Sequence, residues 1–452
     1  MKKELKICHL LIYILFFVSC AHHQIIIQEP AEILDIEIYP QNFNYYVSQI
    51  DSTLLPNLSI EKQSELDSLS NKLFYSVWTD TLNTDNEKVI ELFEYYQSLF
   101  ERYKKKPGYA ENKLPRDSLN IIEILNNANL NQGFNTFKKA ITTEYTDIRV
   151  LPTNKPYFYN HNLAGEGFPF DYWQNSTIPI GTPIFIYHET KHWALIGSHI
   201  CHGWIPKNKI AYVNDEQINK IMNLPLVAIL RDNQELKTIY NKYIGKADIG
   251  TIFPLLSEMD NCYNVLFFER DSLANANEIN LQISKDISAQ KPIPLNIENI
   301  NQICQQMQGQ LYGWGGMYLN RDCSQTMLDM FMPFGILLPR NSKQQANNGG
   351  FSVDISDLNI KEKKKFIINN AKPFTTLIGL PGHIMLYIGH IENEPIVFHN
   401  MWGIKTLHRK NEGRFVVGKA VITSLEPGKE LKYVKKNTTL INRINKLTFI
   451  IP

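Results

Sequence analysis

Cys323, His383 and His399 are the residues whose types and order could carry out covalent chemistry. Cys323 sits in Asn320-Arg321-Asp322-Cys323-Ser324-Gln325-Thr326-Met327-Leu328-Asp329-Met330-Phe331. Asp322 reads as a helix N-cap, and Met327, Leu328 and Phe331 share one helical face, which places the sulfur in a first turn. An ordinary thiol, of pKa ~8.5, is only a few per cent thiolate at neutral pH, and the thiolate is the nucleophile. Unpaired N–H groups and the helix dipole favour negative charge at such an end and could also hold an oxyanion. The reaction further needs a base that takes the thiol proton and returns it to a leaving amine. His383, in Leu380-Pro381-Gly382-His383-Ile384-Met385-Leu386-Tyr387-Ile388-Gly389, and His399, in Ile396-Val397-Phe398-His399-Asn400-Met401-Trp402-Gly403, stand in successive β-type runs. Neighbouring antiparallel strands would set them side by side, so that one imidazole meets the thiol while the other, or Asn400, orients it. A structural cysteine beside satisfied histidines remains the alternative at this point.

The elements that must position these groups follow from the rest of the pattern. The chain has 452 residues, enough for about three domains at ~150 each, and 44% hydrophobic against 20% charged residues excludes a largely disordered chain. Lys+Arg 46 against Asp+Glu 45 excludes whole-surface attraction to nucleic acid. The sequence from 25 to 141 reads as helical: Val89, Leu92, Phe93, Tyr96, Leu99 and Phe100 recur at helical spacing after the N-cap candidate Asp85, and Ser64–Trp78 repeats the pattern more weakly. From 142 to 220 and again from 221 to 290, short β-type runs alternate with Gly, Pro and Asn turns, which predicts two small β-barrels. Lys291-Pro292-Ile293-Pro294 then leads into a last domain over 291–452, with a helix around Ile300, Ile303, Cys304 and Met307.

Several signals point away from other chemistries. There is no CxxC, no HExxH and no His/Cys cluster with zinc spacing, and Cys201, Cys262 and Cys304 are expected to be buried small hydrophobes. The glycines around Trp314 lack the Lys and Ser/Thr of a phosphate loop, so neither nucleotide nor other cofactor is expected. The lysines within Lys361–Lys365 read as a solvated helix face. At the amino terminus, Lys2, Lys3 and the apolar run Leu10–Val18 read as a secretory signal over 1–20, and Phe17-Val18-Ser19-Cys20 resembles a bacterial lipobox. That resemblance implies acylation of Cys20 and a lipid-anchored protein, expected at the bacterial outer membrane facing the periplasm.

Residues 300–425 resemble the NlpC/P60 family of cell-wall cysteine peptidases, which have a papain-like core. The matching pieces are Tyr312-Gly313-Trp314-Gly315-Gly316, Asp322-Cys323-Ser324, Gly335-Ile336-Leu337-Leu338-Pro339-Arg340 with Gln344-Gln345, and Pro381–Gly389. Gln325 stands where many relatives carry Gly. Upstream, Arg149-Val150-Leu151-Pro152-Thr153, Pro169-Phe170-Asp171-Tyr172-Trp173-Gln174-Asn175-Ser176 and Gly203-Trp204-Ile205-Pro206 resemble the first bacterial SH3 domain of multidomain members, which also carry a helical clip and a second SH3 domain. The resemblance therefore implies a multidomain α+β protein: helical amino-terminal domain, two SH3-like barrels, and a papain-like carboxy-terminal domain. It implies Cys323 as nucleophile, His383 as general base and acid, His399 as the orienting third member, and Tyr312, Asp322 and Ser324 as substrate-holding residues. The implied activity is a γ-D-glutamyl-L-diamino acid endopeptidase acting on peptidoglycan stem peptides whose L-Ala amine is free. An N-acetylmuramoyl-L-alanine amidase and a non-catalytic wall-binding lipoprotein are the alternatives. Asp171, Tyr172 and Gln174 could shape the cleft but are read as structural.

Overall fold

Helices come first because the amino-terminal apolar residues recur every three or four positions. The computed structural model describes residues 32–451 except 81, 82, 132 and 410. The signal segment and Cys20 lie outside the described residues. Helices run Leu34–Ile38, Phe43–Val47, Ile60–Phe74, Ser76–Thr79, Asn86–Lys105 and Ser118–Ala128. Asp85 caps the longest of them by accepting from the N–H groups of Glu87 and Lys88. Its buried stripe of Tyr96, Leu99, Phe100 and Tyr103 packs with Ile121 and Leu125 onto Trp173 and Trp204 of the first barrel. The earlier helices reach the other end of the chain, where Phe43 meets Phe398 edge-on at 5.0 Å.

The first barrel is a seven-stranded antiparallel sheet, in the order Gln174–Ile178, Thr146–Arg149, His202–Pro206, Trp193–Gly197, Pro183–Glu189, Lys138–Thr142, Ile210–Tyr212. A long loop between Arg149 and Gln174 leaves this sheet toward the last domain. The second barrel has five strands, Ala276–Ser284, Cys262–Arg270, Ile252–Glu258, Leu226–Ile229 and Ser288–Lys291, plus the hairpin Gln234–Lys237 with Tyr243–Ala247.

The last domain is a six-stranded antiparallel sheet ordered Phe351–Asp354, Lys446–Phe449, Thr376–Leu380, His383–Ile391, Glu394–His408, Asn411–Thr423. The strand His383–Ile391 is apolar on both faces, so both are covered. Ile384, Leu386 and Ile388 join Ile300, Met327 and Phe331 from the helices Ile297–Met307 and Cys323–Phe331, whereas Met385 and Tyr387 join Ile367 of the helix Ile360–Asn370. That period of two puts His383 on a defined side at the start of its strand.

Two expectations are corrected. Cys304 is buried, but Cys201 and Cys262 are partly exposed, because each lies at a strand end rather than in a strand centre. The lysine run is not uniformly solvated: Lys363 is buried with its ammonium on the Ile444 carbonyl, and Lys364 bridges Glu394 and Glu426 at 2.7 and 2.6 Å. Their long stems let the ammonium groups reach acceptors on neighbouring chain while the helix turns Ile367 to the core.

Candidate active site

Cys323 opens the helix Cys323–Phe331, and Asp322 caps it by accepting from the Gln325 N–H at 2.8 Å. The sulfur is buried and receives the N–H of Ile384, the residue after His383. Burial pushes the thiol up to about 12, the Asp322 carboxylate adds to this, and the backbone N–H groups of Ile384 and Ser324 oppose it. Desolvation is the first cause, and the cap's own negative charge sits beside the sulfur.

His383 and His399 are brought together, with His383 Nε2 2.7 Å from His399 Nδ1. The register pairs Leu386 with Phe398; three residues further back, His383 faces the diagonal position to His399, within reach of long side chains. The proton positions follow from the far end of the chain of bonds. Thr423 Oγ1 donates to the Ser424 carbonyl at 2.7 Å, which uses its only proton. Thr423 Oγ1 therefore accepts from His399 Nε2 at 3.0 Å. His399 Nδ1 then accepts from His383 Nε2, and the lone pair of His383 is left on Nδ1. Burial lowers His383 to about 4, with the Arg443 charge lowering it further and Asp322 opposing. Burial, then His383, hold His399 far below the usual imidazole range. Both rings are thus neutral beside a protonated thiol. Asn400 points elsewhere, and its Nδ2 donates to the Arg321 carbonyl at 2.8 Å.

Charged groups brace the other side of the sulfur. Asp322 Oδ1 accepts from Gln325 N, Ser324 Oγ (3.0 Å) and Arg340 Nη1 (3.1 Å), and Oδ2 accepts from Arg340 Nη2 (2.8 Å) and Gly315 N (3.2 Å). Burial alone would raise the carboxyl, but the Arg340 guanidinium and these donors hold it below the usual carboxylate range. Ser324 lies inside this brace rather than at an open surface, since its hydroxyl also accepts from Arg340 at 3.0 Å. Arg340 Nε reaches Ser176 of the first barrel at 2.7 Å. One residue before Asp322, Arg321 binds Asp232 of the second barrel through Nη1 and Nη2, both at 2.8 Å, and Asp329 through Nε at 2.6 Å. Arg340 stands in a sequence motif that gives it no role, and Thr423 carries no sequence signal at all.

Tyr312 lies near enough to Cys323 and Asp322 to feel their charges. Burial first, then the charges of Cys323 and Asp322, push its hydroxyl far above the ordinary phenol range, so it remains an O–H donor. Its ring lies 6.0 Å from Trp402, which meets Phe170 of the first-barrel loop at 6.2 Å; Phe170 in turn meets Trp314 at 5.1 Å. Gly315 (φ 58) and Gly316 (φ 85) let the turn press onto this barrel, where an added Cβ would strike Gln174 and Thr177. Asp171, Tyr172 and Gln174 have internal work. Asp171 pairs with Arg149 at 2.8 Å, Tyr172 donates to the Gly165 carbonyl at 2.9 Å, and Gln174 donates to the Gly315 carbonyl at 3.0 Å. Among the described residues no cluster of His, Cys, Asp and Glu could hold a metal ion.

Comparison with known proteins gives one answer along the chain. Four family profiles match in order: the amino-terminal NLPC_P60 stabilising domain over 9–132, an SH3 domain of SH3b1 type over 156–206, an SH3 domain of SH3b2 type over 214–259, and the NlpC/P60 family over 309–412. The chain carries a domain of the NlpC/P60 family. Its resemblance in structure runs nearly end to end with an NlpC/P60 endopeptidase from Photobacterium damselae subsp. piscicida, at 26% identity and TM-score 0.79, over 94% of this chain and 99% of that one. An NlpC/P60 family protein from Bacillus cereus ATCC 10987 is matched at 15% identity and TM-score 0.48, over 70% of this chain and all of that one. No curated protein matched. The architecture is the expected one, a helical amino-terminal region, two SH3-like barrels and a carboxy-terminal NlpC/P60 α+β domain.

Proposed function

We propose that this NlpC/P60 chain is a cysteine endopeptidase that hydrolyses the γ-D-glutamyl–diamino acid amide, with diaminopimelate or Lys as the diamino acid, in peptidoglycan stem peptides carrying a free amino-terminal L-Ala. The observation that carries the chemistry is the one-way run of hydrogen bonds Thr423–His399–His383, which leaves a lone pair on His383 Nδ1 at the strand start that touches Cys323. A relic domain retained only for wall binding would have no need to hold two buried histidines in matched tautomers.

Because both partners rest neutral, proton transfer and attack are coupled. His383 Nδ1 takes the Cys323 proton as Sγ bonds to the amide carbon, and the carbonyl electron pair moves onto oxygen. That oxyanion meets N–H groups at the helix start and the Tyr312 hydroxyl. The C–N bond then breaks, the amine leaves with the proton from His383, and a thioester remains. Water gives a proton to His383, adds to the thioester and releases the acid, and Sγ takes the proton back. His399 supports the cationic ring through its Nδ1 acceptor. Asp322 already receives five donors, so its first role is to hold the nucleophile loop. The free-amine preference rests on the negative charge of Asp322 together with the Tyr312 hydroxyl.

Mass spectrometry of products from L-Ala-γ-D-Glu-diaminopimelate, with its amine free or blocked by muramic acid, tests this reading. Release of L-Ala-D-Glu from the free peptide alone, lost in Cys323→Ala, is the expected result. Cleavage between muramic acid and L-Ala would replace it with the amidase, and no Cys323-dependent cleavage with the wall-binding protein. A lipid on Cys20 would tether the enzyme to the outer membrane, and metabolic labelling with a fatty acid that disappears in Cys20→Ala checks this.

A further inference from the structure

The run of hydrogen bonds from His383 ends at an edge of the sheet. Thr423 is the last residue of the strand Asn411–Thr423, and that strand is the outermost of the six, with a neighbouring strand on one side only. The end of an edge strand lacks the second ladder that holds a central one and opens more readily. A shift there would move the oxygen that fixes the His399 tautomer.

Amino-terminal chain takes the place of the missing neighbour. Gln41 sets its side-chain amide against Ile422 much as a strand would: Nε2 donates to the Ile422 carbonyl at 2.8 Å, and Oε1 accepts from the Ile422 N–H at 2.9 Å. On the other side of Thr423, a single oxygen of Asp35, Oδ2, accepts from the Ser424 N–H at 2.8 Å and from the Ser424 hydroxyl at 2.7 Å. Ser424 also supplies the carbonyl on which the Thr423 hydroxyl is anchored. The residues before and after Thr423 are therefore both gripped, by groups 381 and 389 positions away in the chain. Asp35 is placed by the short helix Leu34–Ile38, and the preceding residue, Ile33, is buried with Met401, Ile404 and Val421. Burial pushes the Asp35 carboxyl up, and the two Ser424 donors oppose it. A side chain kept there only for packing would not need that desolvation cost.

We propose that Asp35 and Gln41 are positioning residues for the reaction: by holding Ser424 and Ile422 they fix Thr423 Oγ1 as the acceptor of His399, and so keep the lone pair of His383 turned to Cys323. This role deepens the function proposed above and rests on it. It gives the helical region a part in turnover, beyond the packing of Phe43 on Phe398.

The test is a double-variant cycle in the full-length enzyme, with L-Ala-γ-D-Glu-diaminopimelate as substrate. Asp35→Ala should lower kcat about fivefold, within the factor that Thr423→Val costs, and leave KM little changed. Asp35→Asn keeps one acceptor oxygen for both Ser424 donors and should recover most of that loss. In the Thr423→Val background Asp35→Ala should cost nothing further in kcat, because the group through which it acts is already gone. A merely structural Asp35 would lower the urea midpoint and lose the same factor in both backgrounds; that result overturns the proposal, as does a kcat that Asp35→Ala leaves unmoved. Gln41→Ala runs the same cycle with Asp35 in place, and decides the matter if Asp35→Ala does not fold. The rate at which iodoacetamide alkylates Cys323, read from the mass of its peptide, follows the relay without substrate. It should fall in Asp35→Ala and be insensitive to residue 35 once Thr423 is Val. If the wild type does not cleave the peptide the reaction assignment fails, and the alkylation cycle still decides the positioning role by the presence or absence of that coupling.

Discussion

On the sheet side of Cys323 lie two neutral imidazoles, a hydroxyl and a carbonyl, each passing one hydrogen bond to the next. On the loop side lie Asp322 with Arg340, and Arg321 with Asp232 and Asp329, ionised and interlocked. Both sides are buried, yet burial is answered in opposite ways. The imidazoles stay uncharged, because a neutral ring is the form that desolvation favours and the form that accepts a proton. Asp322 and Asp232 are held below the usual carboxylate range by the guanidiniums that face them, while burial still raises Asp329 to about 6 against Arg321. In the reaction proposed above, the side that moves protons carries no fixed charge, and the side that holds still is made of it. Asp322 and Ser324, placed with the substrate by family resemblance, belong physically to the second side.

Substitutions should separate the two sides. The largest loss is expected from Cys323→Ala or His383→Ala, about 10³-fold or more in kcat with an unchanged urea midpoint. A lowered midpoint with equal loss would place them in the scaffold instead. Arg340→Met should do the reverse first: it leaves Asp322 buried and unpaired, costing about 3–5 kcal/mol of stability by urea unfolding. Adding Asp322→Asn should recover part of that. The pair's contribution has a pH sign as well. The folded Asp322 carboxyl is held below its ordinary value, so the stabilisation is present above pH ~3.9 and is lost as pH falls through the folded value. Arg340→Met should remove that acid dependence.

Smaller effects belong to the relay. Thr423→Val removes the acceptor that fixes the His399 tautomer, and kcat should fall about tenfold with KM and stability little changed. The pH profile gives the finest distinction. With His383 lowered to about 4, the competent neutral ring persists well into acid, and kcat/KM should decline only as pH drops toward 4. A decline centred near 6.5 would mean that the cleft is wetter than its geometry indicates.

Much of this is legible in the order of residue types. Asp85, Asp322 and the periodic Tyr96, Leu99, Phe100 and Tyr103 act locally, so their cap and stripe can be read directly, and the two alternating runs around His383 and His399 give the strand pair. Arg340 stands in a recognisable motif, but its partners Asp322 and Ser176 lie 18 and 164 residues away, and no local pattern encodes such a meeting. The burial of Lys363 and Lys364 is hidden for the same reason: their receivers, Ile444 and Glu426, come from remote chain.

Sequence alone determined which atoms could react, the helix that opens on Cys323, and the period-two strands that carry the two histidines, because these depend on spacing of a few residues. Only the tertiary structure decided the state those atoms rest in. The thiol stays protonated, the rings stay neutral, and Asp322 is tied to Arg340, because desolvation and charge pairing depend on what lies within a few ångströms in space.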